Sequence, residues 1–306
     1  MKKVLIIILL VALLLTGQQC GKKEAKTEGP FVGGVKGVDI SFVQGYPLSE
    51  FFASDTVPVK VLLKNNGESD VNAGEAKVKL YGVYLPSFGL ADAYKATNSL
   101  LRGITQYSKE GSEQEVDLGN IKYTQQIINF EDVTLRAKVC YPYQTKVQTK
   151  VCLGSLSEIE KGAEQVCTVT GEKLSQGSVS SAPIQVTSIT QKPFSSNQVL
   201  FEITIQNSGK GSVYKPVALC EDLEDAIKRG GSENIVSIEI NPADIKCSFL
   251  ESESNKGTTR LVDNKKTFTC RKIVGSTGSN YIQNMNMDVS YKYIESASTT
   301  TKIREG

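Results

Sequence analysis

The chain has 306 residues, with 35 Lys and Arg against 33 Asp and Glu, seven Cys, and neither His nor Trp. That length accommodates two domains of ordinary size, ~100–200 residues each, and a composition 40% hydrophobic and 22% charged is that of a folded chain. The lack of His excludes His-based acid–base catalysis, Ser–His and Cys–His nucleophile pairs and His-ligated metals, and a formal net charge of +2 argues against a nucleic-acid partner.

Met1-Lys2-Lys3 is followed by an unbroken apolar run over 4–15 and then by polar Thr16-Gly17-Gln18-Gln19-Cys20-Gly21. A basic start, a short apolar run and a polar boundary predict an export signal over 1–19. The run is shorter than the ~20 residues of a spanning helix. Leu13-Leu14-Leu15-Thr16-Gly17-Gln18-Gln19-Cys20 resembles the end of a lipoprotein signal peptide, which implies lipid on Cys20. Gln19 departs from that pattern, where a small residue precedes the Cys, and cleavage near Gly17 or no cleavage are the alternatives. Residues 20–30 then form a charged tether. From Cys20 onward acids and bases are equal in number, so the expected membrane contact runs through the N-terminus and not through surface charge.

From Phe31 the chain alternates in strand-like runs: 38–43, 57–63, 76–81, 115–118, 125–130 and a hairpin over 132–154. About seven short strands over 31–155 suit a β-sandwich. Centring the hairpin on Lys146 sets Cys140 opposite Cys152, within disulfide range. One segment breaks the strand rhythm. Leu90, Tyr94, Thr97, Leu101 and Ile104 recur at helical spacing after Tyr81, Tyr84 and Phe88. This predicts an inserted helix that caps an open edge or end of the sandwich. Its functional counterpart is a partner-binding surface of Tyr84, Phe88, Leu90, Tyr94, Leu101 and Ile104.

Residues 156–181 form a linker, with a helix-like stretch over 156–165 and a Ser/Gly-rich run after it. The second half, 182–306, repeats the first. Val57-x-Val59-x-Val61-x-Leu63-x-Asn65-x-Gly67-x-x-x-Val71 aligns without a gap on Val199-x-Phe201-x-Ile203-x-Ile205-x-Asn207-x-Gly209-x-x-x-Val213, an offset of 142 residues. The pattern is a strand that ends in a turn, where Gly supplies a positive φ and the Asn side chain bonds the local backbone. A second echo, at offset 152, matches Val139, Tyr141, Lys150 and Val151 to Tyr291, Tyr293, Lys302 and Ile303.

On an exported chain Cys140, Cys152, Cys167, Cys220, Cys247 and Cys270 read as three disulfides. Beside Cys140–Cys152, Cys247 meets Cys270 from neighbouring strands, which leaves Cys167–Cys220. The run 220–231 reads as a short helix with acids in its first turn and bases in its last. A Ca²⁺ site on Glu221, Asp222, Glu224 and Asp225 would need converging oxygens that a helix splays apart, so no metal is expected there.

The strand that ends in Val-x-Leu-x-Asn-x-Gly-x-x-x-Val resembles the B strand and following turn of immunoglobulin-like CARDB-type modules. These recur in tandem on prokaryotic, often archaeal, cell-surface proteins. The resemblance covers about fifteen residues per domain. It implies an all-β chain of two immunoglobulin-like antiparallel β-sandwiches in tandem with short inserted helices, used for adhesion, spacing or assembly. No phosphate loop, nucleophile elbow or paired-carboxylate frame is present. The expectation is a non-catalytic, cofactor-free, membrane-anchored surface protein that meets an unknown protein or surface partner. The alternative is an envelope spacer that self-associates through sheet edges, and a carboxylate-dependent exported enzyme is the third choice.

Overall fold

The computed structural model describes residues 29–155, 160, 166–275 and 279–306. The export signal, Cys20, most of the tether and nearly all of the helix expected at 156–165 lie outside the described residues. The first half contains β1 (Val38–Phe42), β2 (Glu50–Phe52), β3 (Val57–Asn65), β4 (Lys77–Tyr81), β5 (Lys95–Ala96), β6 (Glu113–Ile121) and β7 (Phe130–Leu153). Then come β8 (Gly171–Glu172), β9 (Ile184–Ser195), β10 (Gln198–Asn207), β11 (Ser212–Tyr214), a one-turn helix α1 (Ala226–Gly230), β12 (Ile235–Asn241), β13 (Lys246–Ser248), β14 (Glu253–Ser254), β15 (Lys256–Arg260), β16 (Lys265–Ile273) and β17 (Tyr281–Arg304).

The fold is all-β and sandwich-like, with three sheets. Two have the orders β1-β3-β6 and β14-β13-β16-β10-β9-β8, and the third runs β15-β12-β17-β7-β4-β5 with β11 and β2 added along β17. Pairing is antiparallel except for β2, which runs parallel to the end of β17. The period-two runs behave as their patterns demand. In β3 the alternate residues from Val57 to Asn65 are buried. Pro58 lies below the stretch of β3 that β1 covers, which begins at Val61, so on that side its missing N–H breaks no ladder.

The expected hairpin over 132–154 does not form. β7 is one strand of 24 residues, and so is β17. The two pair antiparallel along their whole length, from Phe130↔Arg304 to Leu153↔Tyr281. This makes a ribbon of roughly 80 Å at about 3.4 Å per residue. The polar stretch read as a turn is ordinary alternation, since Tyr143, Thr145 and Val147 point inward while Gln144, Lys146 and Gln148 point out. The β1-β3-β6 sheet covers one end of the ribbon and the six-stranded sheet covers the other. A single apolar core runs through both.

The disulfides change accordingly. Cys140 and Cys152 lie on the same strand, roughly 40 Å apart, and cannot bond to each other. The bonds among the described residues are Cys140–Cys220, Cys152–Cys167 and Cys247–Cys270. All six cysteines are therefore bridged. The 247–270 pair joins facing residues of β13 and β16 as expected, whereas Cys140–Cys152 and Cys167–Cys220 are replaced.

The repeated Asn-x-Gly motif forms the same structure twice. Asn65 Nδ2 donates to the Ser69 carbonyl at 2.7 Å, and its Oδ1 accepts from Gly67 N at 3.2 Å and from the Tyr143 hydroxyl at 2.9 Å. Asn207 Nδ2 donates to Gly211 O at 3.0 Å, and its Oδ1 accepts from Gly209 N at 3.3 Å and from the Tyr293 hydroxyl at 3.2 Å. The glycines are needed for close approach and not for a positive φ. A Cβ would stand 2.2 Å from the Tyr143 oxygen at Gly67 and 2.3 Å from the Tyr293 oxygen at Gly209. Likewise the Tyr141 hydroxyl accepts from Val38 N at 3.1 Å, and that of Tyr291 from Ile184 N at 3.3 Å. The equivalent tyrosines are thus 141 with 291 and 143 with 293, an offset of 150 rather than 152. The flanking strands agree, because Lys77 pairs with Cys140 in the first half and Ser237 with Ser290 in the second.

These equivalences place a pseudo-two-fold axis through the pair Pro142↔Lys292. Tyr141 faces Tyr293 and Tyr143 faces Tyr291 across it, with ring centroids 5.5–6.4 Å apart in tilted and edge arrangements that favour aromatic pairs. Lys146 and Gln148 direct their backbone N–H groups away from β17, toward Ser180 and Ser178. By the period of the strand, Pro142 lacks only an outward-directed N–H, so the ribbon keeps its inner ladder.

Candidate interaction surface

The segment expected to form a partner-binding helix is not helical. A 3₁₀ turn over Leu85–Phe88 has Pro86 in its first turn and is closed by Gly89 at φ 70°, and the chain beyond it is extended. Thr97 N donates to Ala76 O at 2.9 Å, and Leu101 exchanges backbone hydrogen bonds with Val71 at 2.9 and 3.0 Å. Ser87 and Phe88 accept from Thr124 and Lys122 at the end of β6. The segment therefore bridges, in extended form, the chain leading into β4 and the chain leaving β6.

Most of the six candidates are consequently not available as a face. Leu101 and Phe88 are core, and Phe88 packs against Tyr123 at 5.1 Å. Leu90 is half-buried against Leu80 and Leu118. Ile104 is half-buried and its N–H is held by Gly67 O. Tyr94 is tied to the second half, as described next, and Tyr84 alone is well exposed, at 74%.

The acidic run 220–225 has a structural task. In the first half only a few residues separate Val71 from β4, whereas between β11 and β12 the second half carries a long insertion. Its ends meet, with Lys215 N bonded to Ser232 O, and it lies across the outer face of β4 and β7. The expected helix is present in part, as a 3₁₀ turn over Asp222–Glu224 followed by α1, which Asp225 caps by accepting from Ile227 N and Lys228 N at 2.8 and 3.1 Å. Cys220 and Leu223 point inward and form a small second core with Cys140, Tyr214, Tyr94 and Ile294.

Lysines of β4 and β7 meet acids of this insertion and Asp92 of the extended segment. Lys77 pairs with Glu221 at 2.7 Å, Lys138 with Glu224 at 2.6 Å, and Lys79 with Asp92 at 2.8 Å and Glu224 at 3.6 Å. The Tyr94 hydroxyl donates to Glu224 at 2.6 Å. Burial and this bond to a carboxylate push the Tyr94 hydroxyl far up, so it stays a donor. Burial works to raise Glu224, but hydrogen bonds from Lys138 and Tyr94 outweigh it and hold the carboxyl below its usual range. No group of His, Cys, Asp or Glu able to hold a metal occurs among the described residues. The sequence signal for this network was the period-two lysines at 77 and 79 together with Lys138. The outer side of the insertion exposes Val217, Leu219 and Ile227, at 76%, 58% and 89%.

The three disulfides point to an oxidising, extracytoplasmic environment. Among the described residues no helix is long and apolar enough to cross a membrane. No family model matches the chain, and no curated protein matches it. Among solved structures, a secreted serine protease VesC from Vibrio cholerae is 9% identical with a TM-score of 0.20, over 82% of this chain and 48% of that one. Escherichia coli alpha-2-macroglobulin activated by porcine elastase is 8% identical with a TM-score of 0.18, over 88% of this chain and 32% of that one. The chain thus spans less than half the length of either protein, and likeness at this level carries no argument about fold or function.

Proposed function

We propose that this is an exported, membrane-tethered surface protein with a non-catalytic role in binding or assembly, built from two immunoglobulin-like, CARDB-type halves. The observation that carries the proposal is the Cys140–Cys220 bond. It joins the two halves, its cysteines are almost fully buried, and it locks an insertion that displays Val217, Leu219 and Ile227 to solvent. A protein stapled in this way is suited to holding a fixed surface outside the cell. Lipid on Cys20 and the tether over 20–30 would hold it at the membrane.

The spacer reading draws support from a different observation. The ribbon passes unbroken through both halves, and such continuous pairing would suit a stiff strut. The test of export and anchoring is the intact mass of the native membrane-fraction protein, before and after reduction and alkylation. The expected result is a chain that starts at Cys20 with added lipid and shows six alkylatable thiols only after reduction. An uncleaved, fully reduced chain refutes the proposal. Light scattering on the same preparation separates the roles, since concentration-dependent self-association favours the spacer and a strict monomer favours binding of another partner.

A further inference from the structure

The two long strands of the ribbon are related by the pseudo-two-fold, but their outer edges are not covered alike. On the edge of β7, Lys146 N–H meets Ser180 and Gln148 N–H meets Ser178, and Val147 bridges Val179 in antiparallel fashion. The offset of 150 carries Lys146, Gln148 and Lys150 onto Ser296, Ser298 and Thr300 of β17. On that strand β11 stops at Ile294 and β2 begins at Lys302. Lys302 N–H points outward, to Ser49 O at 2.9 Å. By the period of the strand Ser296, Ser298 and Thr300 also turn their N–H and C=O groups outward, and no backbone group meets them among the described residues. The slot left between β11 and β2 spans residues 295–301, roughly 24 Å of strand.

Two features set this edge apart from one that is merely solvated. Edges left to water are ordinarily blunted by Lys, Pro or a bulge, whereas Ser296-Ala297-Ser298-Thr299-Thr300 carries none of these and keeps its register with β7. On the inner face Glu295, Ala297 and Thr299 are only half-buried, although their equivalents Thr145, Val147 and Thr149 are buried. Charge does not close the slot. Lys36 and Lys210 offset Glu295 and Asp39 at one end, and Glu50 pairs with Arg304 beside Lys302 at the other. The second half shows what fills such an edge: the short polar-apolar-polar segment Ser178-Val179-Ser180, with Val179 packed on the core. Ala297 stands where Val147 does, which leaves room for an apolar side chain of at least that size. A second β17 does not fit along this edge, because β2 and β11 occupy both ends of the slot. The chain's own tether does not reach it. Gly29 is bonded to Gln176, near Gln148, and Ser298, opposite Arg136, lies twelve rows away, roughly 40 Å, whereas the nine residues from Cys20 extend at most about 32 Å.

We propose that this slot takes up an extended segment of a partner protein by strand addition, antiparallel to β17, with an apolar side chain set over Ala297. The inference rests on the surface-binding reading above and specifies the kind of partner. The test uses the full-length oxidised protein and a fluorescein-labelled peptide with the sequence of residues 175–182, the segment that fills the equivalent edge. Saturable binding by anisotropy is expected, with a loss of tenfold or more for the peptide variant Val179→Asp. In the protein, Ser298→Pro removes one outward N–H, as Pro142 does on β7, and should also weaken binding tenfold or more. Ser296→Ala/Ser298→Ala/Thr300→Ala keeps the backbone and should bind as the parent does. Hydrogen exchange on the parent protein reads the edge directly, and the amides of Ser296, Ser298 and Thr300 should gain protection when the peptide is added. Absence of binding overturns the proposal, as do unchanged exchange at these amides, equal binding by Ser298→Pro or a tenfold loss in the triple variant. Self-association in light scattering that Ser298→Pro abolishes assigns the edge to a second copy and overturns it too. A chain that ignores the peptide yet carries lipid on Cys20 and oxidised cysteines keeps the surface reading and loses this one.

Discussion

Replacing Asn65 by Ala tests both the local motif and the interlocked ribbon. Asn65 is fully buried and uses its whole amide. It donates to the carbonyls of Ser69 and Leu101 at 2.7 and 3.0 Å, and it accepts from Gly67 N and the Tyr143 hydroxyl. Asn65→Ala leaves two buried donors without an acceptor, each costing about 1–3 kcal/mol. The carbonyls lose less, because each has a second lone pair. The expected loss is about 3 kcal/mol, a shift of about 1 M in the urea midpoint for an m-value near 3 kcal/mol/M. Asn207 makes the equivalent bonds in a half-buried site, where water can replace them, so Asn207→Ala should cost about 1 kcal/mol. Tyrosine fluorescence and far-UV circular dichroism should follow one transition, and both variants should move all of it, since neither half keeps its sheet without the strand contributed by the other. A loss below about 1 kcal/mol for Asn65→Ala, or a curve with two steps of which one variant moves only one, refutes the argument.

Three further outcomes follow from the packing. Deleting 89–106 should abolish folding, measured by loss of the urea transition, because the deletion removes buried Leu101 and Thr97 together with the strip that closes the sandwich. Cys140→Ser/Cys220→Ser should destabilise by about 4.5 kcal/mol and Cys152→Ser/Cys167→Ser by about 3 kcal/mol in the chain-entropy model, because the bonds close 80 and 15 residues respectively; equal losses in urea unfolding would refute the ranking. The lowered pKa of Glu224 means that its contribution is present above the unfolded value of about 4.3 and is lost as pH falls. Glu224→Gln should therefore weaken the protein at pH 7 and flatten the decline in midpoint between about pH 5 and pH 3, whereas Asp288, raised by burial, has the opposite sign, so that Asp288→Asn should strengthen the protein at pH 7.

Much of the strand content was legible because half-buried strands print a period of two. The Asn-x-Gly repeat was legible as well, although the reason for its glycine was visible only in three dimensions, where a tyrosine oxygen fills the space a Cβ would need. The two-residue error in matching the C-terminal strands has a specific cause. A slip of two in a period-two strand keeps every side chain on its own face, so Val139 and Tyr141 fitted Tyr291 and Tyr293 as readily as the true pair fits. The hairpin was misplaced because strands of 5–6 residues are the rule, and Gln144-Thr145-Lys146 carries enough polarity to suggest a turn. The alternation through Tyr143, Thr145 and Val147 was intact all along. The false helix over 90–104 came from apolar residues whose spacing fits a helix but whose extended chain serves two neighbours in turn.

The axis through Pro142 and Lys292 is the symmetry that joining two copies of one half would leave. A single half of this molecule, with its final strand running past its own sandwich, could finish its sheet only against another copy of itself, and two copies would meet around the same axis in a self-complementary pair. Duplication of such a unit and fusion of the copies would turn an association that depends on concentration into one built into a single chain. Once the partner is guaranteed, the two copies no longer need to match. One outer face carries an insertion and a disulfide and its counterpart does not, a difference that a symmetric dimer of identical chains cannot have.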